Sequence, residues 1–446
     1  MNQKLFSEFK KSTDQDVWTQ IHKDLNGLPY DSTLTWESSD GIKTQPFYDR
    51  INANRKKLVN SFPQQWKTSH TITVKNDIAN SVHACEAAKK QGVEIIIFRL
   101  SNSKLPIKEL VDALEEIDLT FYVIFEFIPL VELLIKLKLK NWLFLFDPIT
   151  QLAQTGNWLL NQATDLEAWS LLVNLEKSTS YIYIDNRVHQ NAGATIPQQL
   201  SYALSQSVDY LSRINSSSEA VEVVFHLALG TNYFFEIAKI QALKTVFSAV
   251  LAVYDFKINY KVIAEPSERN LTLQDYNINM LRSTTAMMAG ILGGADVLNN
   301  LPYDIAFNTP NEFGDRIAQN QLLILKKESF FDQVTNPAEG SYYIEQLTQE
   351  FAEYALTGFK EIESKKGFLS LLLVEEIQKQ ISKSAQKEQD LFDSGALVLV
   401  GINRFQDYDA PKTKSTRIDK TYNDKMLIEP IRGIRLSENT EQHNGK

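Results

Sequence analysis

Eight short runs rich in β-branched and aromatic residues recur through the middle of the chain, and the segments between them have helical periodicity. The runs are Thr71–Val74, Glu94–Leu100, Phe121–Phe127, Trp142–Pro148, Tyr181–Asp185, Val221–Leu227, Phe256–Ile263 and Asp296–Asn300. They are almost continuously apolar rather than alternating, the pattern of strands covered on both faces. Asp77–Gln91 typifies the intervening segments. Ile78, Val82, Cys85 and Ala88 share one helical face there, and Gly92 supplies a C-cap. Strand and helix in alternation predict a parallel sheet, and eight strands are enough to close an α/β structure into a (β/α)8 TIM barrel. The competing architecture is an open doubly wound sheet. That fold usually carries a glycine-rich phosphate turn after an early strand, and the sequence has no G-x-G-x-x-G or P-loop. Gly293-Gly294 reads as a helix C-cap and turn.

Extensions flank the barrel, which is assigned to residues 61–345. Residues 1–60 are polar, with a short helix around Asp16–Leu25 and turns at Asn26-Gly27 and Asp40-Gly41. Such a segment has too little core to stand alone and is expected to be an arm for subunit association. Residues 346–446 follow as two helical stretches, Gln346–Lys365 and Leu369–Phe392, then a strand-like Ala396–Val400. From Gln406 onward the sequence is charged and turn-rich, expected to be extended or partly disordered.

A net charge of −9 argues against a nucleic-acid or anionic-membrane surface. The most apolar stretch, Phe121 to Leu139, is broken by Glu126, Pro129, Glu132, Lys136 and Lys138, so no membrane span is expected. Met1–Lys11 lacks the apolar core of a signal peptide, and the chain reads as cytoplasmic. Cys85 is the sole cysteine, which excludes an intrachain disulfide; it reads as a small buried apolar residue. No metal site is expected.

The densest motif lies at residues 271–348. Leu-Thr-Leu-Gln-Asp-Tyr-Asn-Ile-Asn-Met-Leu-Arg-Ser-Thr at 271–284 resembles the T-x-x-D-x-x-x-N-x-x-R-x-T segment of the methylmalonyl-CoA mutase family. Gly293-Gly294, Asp304 and Pro310 continue the likeness. So do Arg316-Ile317-Ala318-Gln319-Asn320-Gln321 and Asn336-Pro337-Ala338-Glu339-Gly340-Ser341-Tyr342-Tyr343-Ile344-Glu345. Asp275, Asn279, Arg282, Asp304, Arg316, Asn320, Gln321, Gly340, Tyr342 and Glu345 are thus signature positions, for which a structural role is expected. Thr272 with Asp275, and Thr309 with Glu312, read as helix-starting capping pairs. Matches reach both ends. Trp18, Asp24-Leu25, Gly27, Gly41-Ile42, Pro46 and Tyr48 are similar to the family's interlocking arm. Asp393-Ser394-Gly395 and Val400-Gly401-Ile402-Asn403 are similar to the close of its substrate domain.

The resemblance implies acyl-CoA isomerisation through an adenosylcobalamin radical, in propionate metabolism. The cofactor does the hard chemistry while the protein encloses it. Catalytic members carry S-G-Y-H-x-x-E-A-G-A after the fifth strand, whereas this chain has Asp185-Asn186-Arg187-Val188-His189-Gln190-Asn191-Ala192-Gly193-Ala194. Aligned on Ala192-Gly193-Ala194, the family's tyrosine is Arg187, its histidine Val188 and its glutamate Asn191. His189, one place late, reads as ordinary polar loop surface. Gln241 stands where the family has a CoA-associated arginine. The substrate loop before the first strand is replaced by Ser61–Lys67, and the fourth strand ends in Asp147-Pro148-Ile149-Thr150. Roughly 40 residues follow Phe405, too few for a doubly wound cobalamin domain. His443 near the end matches no D-x-H-x-x-G motif and reads as part of a solvated tail.

These departures make the chain resemble the small, non-catalytic type of subunit, with no catalytic, cofactor-binding or metal residues of its own. A large catalytic subunit would be its heterodimer partner and would hold adenosylcobalamin and the acyl-CoA. One alternative keeps this barrel catalytic, with a separate small protein supplying cobalamin. Another is an unrelated barrel enzyme using Asp147, Asp185, His226 and Glu265 from its strand ends; His226 also reads as a satisfied core histidine.

Overall fold

A computed structural model describes all residues except 1–7, 10–11, 49–61, 76, 101–103, 126–140, 175–180, 215–220, 255–257, 408, 410–412, 414–424 and 444–446. The chain divides into two compact units, Met1–Asn54 and Arg55–Lys446. In the first, Thr13 caps the helix Asp14–Asp24 through a reciprocal box with Asp16. Trp18 packs on Tyr30 of a second short helix, Tyr30–Leu34, with ring centroids 4.8 Å apart. A two-residue antiparallel ribbon, Trp36–Glu37 with Lys43–Thr44, completes this unit.

The second unit is a nearly closed parallel barrel of eight strands with helices around it. The strands are β1 (Lys67–Val74), β2 (Ile95–Leu100), β3 (Thr120–Ile124), β4 (Trp142–Leu145), β5 (Tyr181–Asp185), β6 (Glu222–Leu229), β7 (Asn259–Pro266) and β8 (Val297–Asn299). The ladder runs β4-β3-β2-β1-β8-β7-β6-β5, all parallel, with β8 joined to β1 through Val297 opposite Lys67. The edge strands β4 and β5 come together, with the Asp185 amide donating to Asp147 Oδ2 at 2.9 Å and inward residues of both strands in one cluster, so the sheet is curled on itself and not open and doubly wound. Every expected strand is present. The run at Trp142 ends early, because Pro148 starts a helix, Pro148–Thr155, that Asp147 caps and Gly156 (φ 77°) terminates. The end of the Phe121–Phe127 run lies outside the described residues.

Side chains pointing inward alternate along each strand. Ile95, Ile97, Tyr122, Leu143, Leu145, Tyr183, Val224, Ile263 and Val297 meet on the axis as one buried cluster. Each contributes about 1.5–3 kcal/mol by leaving water, so the centre of the barrel is a packed core. At the strand starts a cavity of about 330 Å³ opens between Lys67, Tyr122, Trp142, Tyr181 and Lys261, and it stops against that core at Ile95 and Leu143.

The C-terminal helices belong to the same compact unit. Tyr342–Ser364 lies against Ile196–Leu211, where Ser201 Oγ donates to the Ala355 carbonyl at 3.1 Å. The stretch expected as one helix over 369–392 is two, Phe368–Leu373 and Glu376–Asp393, split at Glu375 with φ 60°. Ala396–Val400 is no strand; it makes a single bridge, Val400 with Arg404. Asn277 and Asn311 stand at the N-caps where Thr272 and Thr309 were expected, and Asn311 accepts from the Gly314 amide. Of the tail from Gln406, residues 408, 410–412, 414–424 and 444–446 lie outside the described residues; 425–435 run without helix or strand as expected, but they are packed against the barrel, and Ile428, Ile431 and Leu436 are buried. Residues 438–443 form a short helix. No helix among the described residues is long and apolar enough to cross a membrane.

Candidate functional site

Enzymes of barrel architecture place their chemistry on the loops after the strands, so the site is sought at the C-terminal ends of β1–β8. Period-two alternation brings Tyr183 and Asp185 of β5, His226 of β6, Glu265 of β7 and Asn299 of β8 to the same end of the interior. Arg187, at the start of the short helix Arg187–Asn191, folds back over them. Its Nε donates to Asp185 Oδ1 at 2.7 Å, its Nη2 to Asp185 Oδ2 at 2.5 Å and its Nη1 to Glu265 Oε1 at 2.9 Å. The second Glu265 oxygen accepts from Asn299 Nδ2 at 2.8 Å and sits 3.1 Å from His226 Nε2. Tyr183 Oη lies 2.8 Å from His226 Nδ1. A neutral imidazole with its proton on Nε2 satisfies both contacts, donating to Glu265 and accepting from the phenol.

Protonation follows from this packing. Burial would raise both carboxyls, but the Arg187 guanidinium outweighs it. Asp185 is held below the usual carboxylate range and Glu265 well below it, the latter helped by His226. Burial, then the Arg187 charge, lowers His226 and keeps it neutral. The network is internally paired and buried. Its acids are spent on Arg187 and its imidazole is held between a phenol and a carboxylate, so it offers no free general base.

The remaining expected positions separate into groups. Val188 is buried beside Arg187, and Asn191 Oδ1 accepts from Ser267 Oγ at 2.7 Å and the Glu268 amide at 3.1 Å. Gln241 is not brought to this cluster. It lies in the outer helical layer, where Thr348 Oγ1 donates to its Oε1 at 3.3 Å. His189 corrects an expectation: it is fully buried, not loop surface. Its Nδ1 meets Asn186 Oδ1, its ring packs edge-on to Tyr202 and Phe368, and burial lowers it to about 3. Asp147 lies just past the end of β4, pinned by Tyr210, Gln206 and Thr150, and its other oxygen accepts from the Asp185 amide at 2.9 Å. Burial pushes the Cys85 thiol up to about 12, which leaves it unreactive. The His443 side chain and Ser61 lie outside the described residues.

The signature residues form cross-links around the loops after β7 and β8. Asn279 donates to the Thr272 and Tyr303 carbonyls and accepts from Arg282, whose Nη2 reaches the Val400 carbonyl at 2.6 Å. Asp275 adopts φ 49° and packs under Gly401. Asp304 accepts from Asn308 and Asn311. Gln321 ties Asn300 to Met280, Ser283 and Thr284. Arg316 and Asn320 sit one turn apart on Glu312–Lys327, Arg316 exposed and Asn320 half-buried. Gly340 (φ 87°) donates its amide to Glu345 Oε1, and Tyr342 opens the helix Tyr342–Ser364. Sequence reasoning missed Tyr183 and Asn299 as members of the buried network. Their odd–even register with Asp185 and Val297 was the available signal, but it does not reveal that Arg187 spans to Glu265.

Three buried histidines carry a pH dependence. Burial lowers His70 to about 4, His189 to about 3 and His226 as well. Their folded values lie below the unfolded value near 6.5. The unfolded chain therefore binds protons first as pH falls, and stability is lost from pH 6.5 downward. Each such histidine steepens the fall by up to about 1.4 kcal/mol per pH unit. Urea melts between pH 7 and 4.5 should show a shallower slope for His189→Phe than for the parent.

Comparison with known proteins bears on these features. Residues 147–445 match the family model for methylmalonyl-CoA mutase. A methylmalonyl-CoA mutase small subunit from Porphyromonas gingivalis is 27% identical over 91% of this chain and 72% of its own length. A methylmalonyl-CoA mutase from Cereibacter sphaeroides is 32% identical over 49% of this chain, and that from Escherichia coli 26% over 55%. The chain spans only 32% and 36% of the length of those two relatives. Among solved structures, a Thermus thermophilus dihydropteroate synthase superposes with a TM-score of 0.35 at 11% identity, covering 53% of this chain and 87% of that one.

Proposed function

Because the chain belongs to the methylmalonyl-CoA mutase family, we propose that it is the small, non-catalytic subunit of a heterodimeric adenosylcobalamin-dependent mutase. The large partner would bind the cofactor and interconvert methylmalonyl-CoA and succinyl-CoA. The observation that carries this reading is Arg187 locked onto Asp185 and Glu265. These groups fill the mouth where an acyl group would react, and apolar side chains fill the axis below. A radical intermediate needs an enclosed pocket with oriented polar groups, and here those groups are consumed by one another. The residues at the mouth therefore do not fit adenosylcobalamin chemistry, and no step is assigned to them. The likeness to a small subunit over 91% of the chain supports the same conclusion.

The N-terminal unit would serve as the association arm. Leu28 and Trp36 are 60% and 54% exposed there, apolar area suited to a partner. The purified chain should neither turn over methylmalonyl-CoA nor bind CoA thioesters at micromolar concentration in calorimetry. Co-expression with a large mutase subunit should give a stable complex that is active with adenosylcobalamin. Turnover by this chain given only a small cobalamin-binding protein would overturn the reading and establish the barrel as catalytic.

A further inference from the structure

Residues 425–441 run as a strap over loops on the C-terminal face of the barrel, where they touch segments far away in sequence. The Leu427 and Ile428 amides donate to the Gly156 carbonyl at 2.9 and 3.1 Å, and the Ile431 amide donates to Ala153 at 2.7 Å, all after β4. The Ile434 amide then donates to the Asn191 carbonyl at 3.1 Å, after β5. After β7, the Leu436 amide donates to the Arg269 carbonyl at 2.8 Å, and Arg269 Nη1 returns a bond to the Ile434 carbonyl at 2.8 Å. The strap ends on Glu441, whose Oε1 accepts from the Leu273 amide at 2.6 Å and the Gln274 amide at 3.3 Å while Arg435 holds its other oxygen.

The path is specific. A Cβ on Gly156 would lie 2.6 Å from the Ile428 carbonyl oxygen, so only glycine admits the strap there. Side chains add further points of attachment: Asn157 accepts from the Leu427 amide and donates to the Lys425 carbonyl, Glu375 accepts from the Glu429 amide, and Gln378 donates to the Glu429 carbonyl. Its buried residues, Ile428, Pro430, Ile431, Leu436 and Ser437, are interspersed with exposed positions, Leu427 at 59% and Ile434 at 51%. Backbone bonds join it to the barrel at isolated points rather than as a ladder. A segment joined at separate points and not by a ladder can open locally without global unfolding.

We propose that residues 425–441 are an intrachain clasp that opens and closes as a unit over the loops following β4, β5 and β7. Closed, it covers Asn191 and the loop from Arg269 to Gln274, next to the Arg187 network. Open, it uncovers this face while the barrel stays folded. The inference stands whether or not the mutase reading holds, because it concerns only contacts within this chain.

Hydrogen exchange on the full chain tests it, since the Leu273 and Gln274 amides donate to the strap itself. A Cβ on Gly433 would stand 3.3 Å from Asn191 Cβ, close to disulfide spacing. The double variant Gly433→Cys with Asn191→Cys should therefore form a bond that locks the clasp. Locking should slow exchange at Leu273 and Gln274 at least tenfold, and reduction should restore the rate. Ile431→Asp should speed exchange there at least tenfold without changing Phe225 or Val262 in the barrel. Glu441→Gln, a milder change, should act in the same direction if Ile431→Asp does not fold. The proposal is overturned if the disulfide does not form, or if locking leaves the two amides unchanged. It is equally overturned if they exchange in the parent only as slowly as Phe225.

Discussion

Replacing Arg187 by methionine is expected to lower the unfolding free energy by about 3–5 kcal/mol, the usual cost of removing one partner from a buried ion network. The side chain of similar length retains most of the packing. The loss therefore comes from Asp185 and Glu265, which are left buried with their countercharge gone. Both would take up protons at higher pH than in the parent. The variant should consequently be least damaged in mild acid, and its stability relative to the parent should recover as pH falls from 7 toward 5. Urea unfolding of Arg187→Met, of Asp185→Asn with Glu265→Gln, and of the triple variant separates the terms. The triple variant should regain most of the loss, because replacing every charge in such a network is often near neutral. A single variant as stable as the parent would mean that the charges are not excluded from water as described.

Asp147→Leu is expected to cost upward of about 3 kcal/mol, because it leaves several buried donors unmatched at about 1–3 kcal/mol each. Its carboxylate accepts from Tyr210 Oη at 2.6 Å, Gln206 Nε2 at 2.9 Å, the Thr150 amide at 2.9 Å and the Asp185 amide at 2.9 Å. Two of those donors cap a helix and hold the top of β5 to β4. The damage should therefore concentrate at one place in the barrel, seen as early exchange at Thr150 and Asp185. Asp147→Asn should cost less, because its carbonyl oxygen keeps part of the set. Equal losses in the two variants would show that volume, not hydrogen bonding, sets the effect.

The barrel was legible because its signal is repeated. Eight apolar runs in alternation with helical segments survive an error in any one of them, as the run at Trp142 shows by ending early at Pro148 without disturbing the count. The site was legible only in part. Arg187 and Val188 stood out against the family pattern, but the meaning of the arginine lies in Glu265, and no local rule pairs residues so far apart. His189 looked like surface because polar loop residues usually are. It is buried because Phe368, from a helix far along the chain, closes over its ring. The packing of the tail was not legible for the same reason. Composition reports on local hydration, whereas residues 425–441 are ordered by isoleucines and a leucine that find their pockets across the barrel face.

The closure of the sheet has a consequence for how the chain could be divided. Ladder pairing is continuous from β4 through β1 and β8 to β5, and the junction of β4 with β5 is made by the Asp147 side chain instead. The barrel is thus two four-strand halves, consecutive in sequence, zipped along β1 and β8. Cutting the polypeptide between β4 and β5 would break no interstrand backbone pair among the described residues. Two separately made halves would meet along an edge where every rung of the ladder is already specified.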